Sequence, residues 1–167
     1  MHSIKRLLMG FMTLFMSGLL VSSLVYANPH AEKIEQILTS KEEPMGVVFE
    51  IVTGNNHSLD WALPMVKGYI GKLKERFPEI DVAIVTHGRE QFALTTDKSE
   101  KQTKVHSLTQ QLNKEGIPLH VCGTYAGWQG LSEEDFPEYV NVAAAGPAQI
   151  NDYIAVGFTL VKISEPD

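Results

Sequence analysis

The chain has 167 residues, a formal net charge of −6 and a single cysteine, Cys122. An acidic chain without a cluster of lysines and arginines argues against nucleic acid and anionic lipid as partners. With one cysteine no internal disulfide can form, so the fold must depend on packing.

The N-terminal 27 residues have the layout of a secretory signal peptide. Lys5 and Arg6 precede an uncharged apolar run over 7–25, and Ala27 ends a short stretch of small residues suited to cleavage. Cleavage after Ala27 leaves a periplasmic protein of 140 residues with 12 basic and 20 acidic residues, a formal charge of −8. This size fits one domain, with no membrane contact expected after cleavage. The alternative is an uncleaved anchor, because the run approaches the length that spans a bilayer.

Residues 28–44 are polar and predict a short amphipathic helix or a mobile arm, and residues 45–167 predict one folded domain. Within that domain, short apolar runs alternate with segments of helical periodicity. The predicted strands are 46–54, 80–86, 117–122, 140–145 and 158–163, and the predicted helices begin near 58, 105, 132 and 146. This order predicts a three-layer α/β/α fold with a mostly parallel five-stranded sheet. The longest irregular region is expected over 89–104, and its polar tract from Thr95 to Lys104 could be a lid or a simple loop.

The loops at the carboxyl ends of parallel strands converge on one edge of the sheet, where such folds hold ligands. Cys122, His87 and Arg89 are the predicted catalytic residues, since a nearby cation favours the nucleophilic thiolate. The predicted ligand-binding residues are Thr53, Gly54, Asn55, Gly88, His120, Gly123 and Thr124. The alternatives are that Cys122 only fills the core and that Arg89 pairs with Glu90 on the surface.

Several neighbouring residues leave their roles open. His120 shares a strand face with Cys122, but the spacing fits no recognised metal motif, so no metal and no cofactor are predicted. Glu50 interrupts the first apolar strand and is either catalytic or a paired structural acid. Tyr125 and Trp128 either wall a pocket or fill a subunit contact. The sequence lacks nucleotide-binding glycine motifs, H-E-x-x-H, C-x-x-C and G-x-S-x-G.

Three stretches resemble the DsrE/DsrF-like family of small proteins related to bacterial sulfur relay, most of all an exported branch of it. They are Ile84 to Leu94 (I-V-T-H-G-R-E-Q-F-A-L), Leu119 to Thr124 (L-H-V-C-G-T), and Asp135-Phe136-Pro137 with Gly146 to Tyr153. The likeness extends over 46–163. It implies a five-stranded parallel sheet, assembly into a homo-oligomer, and a cysteine, here Cys122, that carries sulfur as a persulfide.

Three hypotheses follow for function. The first is a periplasmic sulfur carrier that receives and passes on sulfur through donor and acceptor proteins or small sulfur compounds. The second is a non-catalytic module that binds a small ligand through glycine-loop amides. The third is an oligomeric scaffold with a packed cysteine. The reactivity of the Cys122 thiol in folded protein separates the first from the other two.

Overall fold

The structure is a computed structural model, and it describes residues 28–165. The signal-peptide prediction for residues 1–27 therefore lies outside the described residues. Within 28–165, no helix combines the length and apolar character needed to cross a membrane.

Five strands and five helices alternate along the described part of the chain. The strands are β1 (Gly46–Ile51), β2 (Val82–Thr86), β3 (Leu119–Cys122), β4 (Asn141–Ala143) and β5 (Phe158–Ile163). The helices are α1 (Pro29–Leu38), α2 (Leu59–Arg76), α3 (Thr103–Lys114), α4 (Gly123–Trp128) and α5 (Gly146–Ala155). Three short 3₁₀ turns lie at Arg89–Leu94, Thr96–Lys98 and Glu133–Asp135.

The strands form one parallel sheet in the order β4-β3-β2-β1-β5. In the register of this sheet, Thr86 of β2 is paired with Ile51 of β1 and with Val121 of β3. The three central strands thus end at the same level. The predicted three-layer α/β/α fold with a parallel five-stranded sheet is confirmed.

The two faces of the sheet are covered unequally. One face packs Phe49, Ile84 and Val121 against the apolar stripes of α1, α2 and α3, and this is the main core. The opposite face has a much smaller apolar cluster, Val48, Ala83, Val85 and Ile150, of which only Ile150 comes from a helix, α5. Because side chains alternate between faces, residues 50, 87 and 122 lie on this second face near the strand ends.

The segment between β2 and α3 differs most from its expected form. The predicted irregular region 89–104 instead holds two 3₁₀ turns, and its residues Glu90, Gln91 and Leu94 are fully buried. At the other end of α3, Gly116 has the positive φ of +77° that the predicted helix stop requires. The first half of the segment, 90–95, is therefore part of the packed body of the domain, whereas 96–104 lie at the surface.

Candidate functional site

A cavity of about 610 Å³ lies at the carboxyl ends of the strands. Its lining residues are Thr53, Gly54, His87, Gly88, Arg89, Cys122, Thr124, Tyr125, Trp128, Ala145 and Pro147. Most of the wall is carbon, and the Trp128 side chain stands at the rim with 75% of its surface exposed. Besides the strand ends, the N-terminal end of α5 and three residues of α4 contribute to this wall.

The structure brings seven of the ten predicted site residues to this cavity wall. The other three, Asn55, Gly123 and His120, are absent from the lining. Asn55 accepts a hydrogen bond from the His57 main-chain N–H at 2.9 Å within its own loop. Gly123 packs so closely on β4 that a Cβ atom there would lie 3.0 Å from the Ala143 carbonyl oxygen.

His120 lies between the sheet and α5. Its Nε2 atom is 2.9 Å from the Tyr153 hydroxyl, and the two rings pack edge to face. Burial lowers the pKa of His120 and raises the pKa of Tyr153, so both groups stay neutral near pH 7. In this position His120 connects β3 to α5 beneath the cavity.

Cys122 is the last residue of β3 and the N-cap of α4, and it is 5% exposed. Its Sγ atom accepts a hydrogen bond from the Tyr125 main-chain N–H at 3.4 Å. This main-chain donor belongs to the first turn of α4 and points at the sulfur. Cys122 is one of the residues that line the cavity, although most of its own surface is buried.

Gln91 fixes the main chain of Cys122. The Gln91 side chain is fully buried, its Oε1 atom accepts the Cys122 N–H at 2.7 Å, and its Nε2 atom donates to the Cys122 carbonyl at 3.3 Å. One side chain thus replaces the pairing that a neighbouring strand would provide. Sequence reasoning did not identify this residue.

Glu90, also fully buried, joins the ends of β1 and β2. Its Oε1 atom accepts from the Thr86 hydroxyl at 2.6 Å and the Gly88 N–H at 2.8 Å. Its Oε2 atom accepts from the Thr53 N–H at 2.7 Å and the Thr53 hydroxyl at 3.0 Å. A surface pair between Glu90 and Arg89 is therefore ruled out, because both carboxylate oxygens are engaged inside the protein.

His87 is held by a carboxylate from the neighbouring strand. Its Nε2 atom lies 3.0 Å from Glu50 Oε1, and both side chains are 15% exposed. The second Glu50 oxygen makes no hydrogen bond and lies 3.2 Å from Lys162 Nζ, whose side chain is mostly exposed. Glu50 is thus a paired acid at the strand ends, and its partner is a predicted catalytic residue.

Gly146 gives the His87 ring its space, because a Cβ atom at Gly146 would lie 2.5 Å from His87 Cβ. Glu50 and Gly146 hold the ring on two sides. The Thr86–Val121 pairing also places His87 and Cys122 next to each other on adjacent strands of the same face. Both residues line the cavity.

Arg89 provides the charge of the cavity. Its side chain is exposed at the rim, and within residues 28–165 no carboxylate lies at ion-pair distance from its guanidinium. No Asp or Glu appears among the lining residues. In the described part of the chain, no three His, Cys, Asp or Glu side chains come close enough together to hold a metal ion.

No protein-family model matches the sequence, and no curated protein matches it either. Several solved structures are similar to it, among them the following two. One is a protein of unknown function, MTH1491 from Methanobacterium thermoautotrophicum, with a TM-score of 0.57 and 17% identity over 70% of this chain and 97% of that chain. The other is the ychN protein from E. coli, with a TM-score of 0.50 and 12% identity over 71% of this chain and 100% of that chain. At these low identities the likenesses concern the fold alone, and they agree with the three-layer α/β/α fold expected from the sequence.

Proposed function

We propose that this protein is a periplasmic sulfur carrier that holds sulfane sulfur on Cys122 as a persulfide. The observation that carries the proposal is the position of Cys122, which lines an open cavity and whose sulfur accepts a main-chain N–H. A cysteine that only fills a core has no need of a cavity or a hydrogen-bond donor. The periplasmic part of the proposal rests on the signal-peptide pattern of residues 1–27.

The reaction is sulfur exchange. The Cys122 thiolate attacks a sulfur atom of a polysulfide, a new S–S bond forms at Sγ, and an S–S bond of the polysulfide breaks. The shortened polysulfide leaves with the electron pair of the broken bond. An acceptor thiolate later attacks the outer sulfur of the Cys122 persulfide and regenerates the Cys122 thiolate. No second cysteine competes for the persulfide within the chain, so it persists until an acceptor arrives.

His87 and Glu50 support the thiolate. When the His87 ring is neutral and its Nε2–H donates to Glu50, the Nδ1 atom is the ring nitrogen left to accept the thiol proton. Glu50 then stabilises the imidazolium that results, because it lies 3.0 Å away. His87 acts as the base in this scheme, and Glu50 is a positioning residue that acts through it.

Mass spectrometry of the folded protein tests the proposal. After exposure to polysulfide, the protein should gain the mass of one or more sulfur atoms, and a reductant should remove this mass. Cys122→Ser should abolish the gain and keep the fold, since the serine hydroxyl can accept the Tyr125 N–H in place of sulfur.

His87→Ala should slow sulfur loading more at pH 6–7 than at pH 9, where the thiolate forms without a base. His57→Ala is the matched control, because His57 is an exposed histidine outside the cavity. A folded protein that gains no sulfur, and whose Cys122 is alkylated only after unfolding, would refute the carrier proposal.

A further inference from the structure

The cavity is much larger than an inorganic sulfur chain. Its volume of about 610 Å³ falls within the range of about 300–1,000 Å³ that is usual for clefts holding small organic molecules. One water molecule takes up about 30 Å³ in the liquid, so a chain of two or three sulfur atoms would leave most of the cavity unfilled. The volume therefore favours a donor with an organic part.

The wall chemistry points the same way. The Tyr125 ring packs edge to face on Trp128, with ring centroids 6.0 Å apart, and Phe92 supports Tyr125 from behind at 5.2 Å. Trp128 and Tyr125 line the cavity with Pro147, which gives one side a continuous carbon surface beside the thiol. Covering an exposed tryptophan at a cavity rim with an apolar group removes apolar surface from water and therefore favours binding.

The charge of the cavity selects for anions. The chain as a whole has 20 acidic and 14 basic residues, yet none of the acidic residues lines this cavity. Arg89 is the only lysine or arginine in the lining. Its guanidinium can bind a carboxylate through two parallel hydrogen bonds.

We infer that the sulfur donor is a low-molecular-weight organic persulfide that carries a carboxylate, which Arg89 binds while the organic part packs on Trp128. This inference rests on the proposed sulfur-carrier function. The Cys122 thiolate attacks the outer sulfur of R–S–SH. A bond forms between Cys122 Sγ and that sulfur as the S–S bond of the donor breaks. The proton stays on the transferred sulfur and the thiolate RS⁻ leaves, so the step needs no oxidant or reductant.

A pair of donors of nearly equal size tests the inference. Persulfides prepared from 3-mercaptopropionate, an anion, and from 2-mercaptoethanol, which is neutral, are compared by the initial rate of sulfur gain on Cys122. The anionic donor should react about three- to fivefold faster with the unmodified protein, the scale of one solvent-accessible ion pair. Arg89→Met should bring this rate ratio to about one, and Arg89→Lys should retain part of it. Lys72→Met, which removes an exposed cation of α2 outside the cavity, should leave the ratio unchanged.

The ratio of the two rates separates donor binding from an effect of Arg89 on the Cys122 thiolate. If Arg89 acted only on the thiolate, its loss would slow the reactions with both donors equally. Equal rates with the unmodified protein, or a ratio that Arg89→Met does not change, refute the inference and leave the carrier proposal standing. If polysulfide loads Cys122 but neither organic persulfide does, the inference is likewise refuted and the carrier proposal stands. No loading from any donor refutes both proposals.

Discussion

Glu90→Gln should destabilise the domain strongly, although it only replaces one carboxylate oxygen with an NH₂ group. Glu90 is 0% exposed, and each of its oxygens accepts one main-chain N–H and one hydroxyl. A glutamine keeps one oxygen and places an NH₂ group where the other oxygen stood. In either orientation this NH₂ group meets a main-chain donor, the N–H of Gly88 or that of Thr53. A hydroxyl can rotate to accept from it, whereas an N–H cannot.

The magnitude follows from two losses. One buried N–H is left without an acceptor, which costs about 1–3 kcal/mol. The remaining hydrogen bonds lose the assistance of the negative charge, which roughly doubles the strength of such bonds. Together we expect a loss of about 3 kcal/mol in the free energy of unfolding. For a domain of this size, about 1 kcal/mol corresponds to a shift of roughly 2–4 °C in Tm, so Tm should fall by about 6–12 °C.

Equilibrium unfolding in urea, followed by circular dichroism, measures this change. Glu79→Gln is the control, because Glu79 is exposed and forms no ion pair among residues 28–165. Its effect should stay within about 0.5 kcal/mol. If Glu90→Gln lowered the free energy of unfolding by less than about 1 kcal/mol, Glu90 would not be the acceptor that joins the ends of β1 and β2.

Three further predictions concern packing, pH and assembly. Gly88→Ala should lower the unfolding midpoint in urea more than Gly54→Ala, because a Cβ atom at 88 would clash with the Thr53 carbonyl oxygen and 54 has open space; equal midpoints would contradict this. Burial lowers the pKa of His106 and His120 below 6.5, so that, as the pH falls, the unfolded chain binds more protons than the folded chain does. The free energy of unfolding should therefore be at its full value above about pH 6.5 and decline below it, by at most about 1.4 kcal/mol per pH unit for each histidine; a flat profile between pH 5 and 7 would be inconsistent with buried neutral rings. Light scattering should give the mass of a homo-oligomer, the expectation from the family resemblance, and a single-chain mass at micromolar concentration would count against it.

The sequence predicts the sheet and the location of the cavity well, because both follow from periodicity and from the rule for parallel strands. The predicted fifth strand, 158–163, has the bounds that the structure shows, and Gly157 before it has the positive φ of a helix stop. The converging loops place Thr53, His87 and Cys122 in one wall, as the strand order requires.

Glu90 and Gln91 could not be predicted from the sequence in the same way. In R-E-Q-F they have the polar pattern of a surface turn, and their burial depends on partners 31 and 37 residues away along the chain. No local period contains that information. The one available signal is their place directly after the strand-ending Thr86-His87-Gly88, where the main chain of two strand ends needs acceptors.

Gln91 also determines how the role of the Cys122 thiol can be tested. The position of Cys122 is fixed by Gln91 through the main chain, and its own side chain makes only the bond from the Tyr125 N–H. Replacing the sulfur therefore leaves the forces that place residue 122 unchanged. A loss of sulfur binding in Cys122→Ser can then be assigned to the missing thiol. The same loss in Gln91→Leu, with the thiol still present, would show that the chemistry depends on where the main chain holds that thiol.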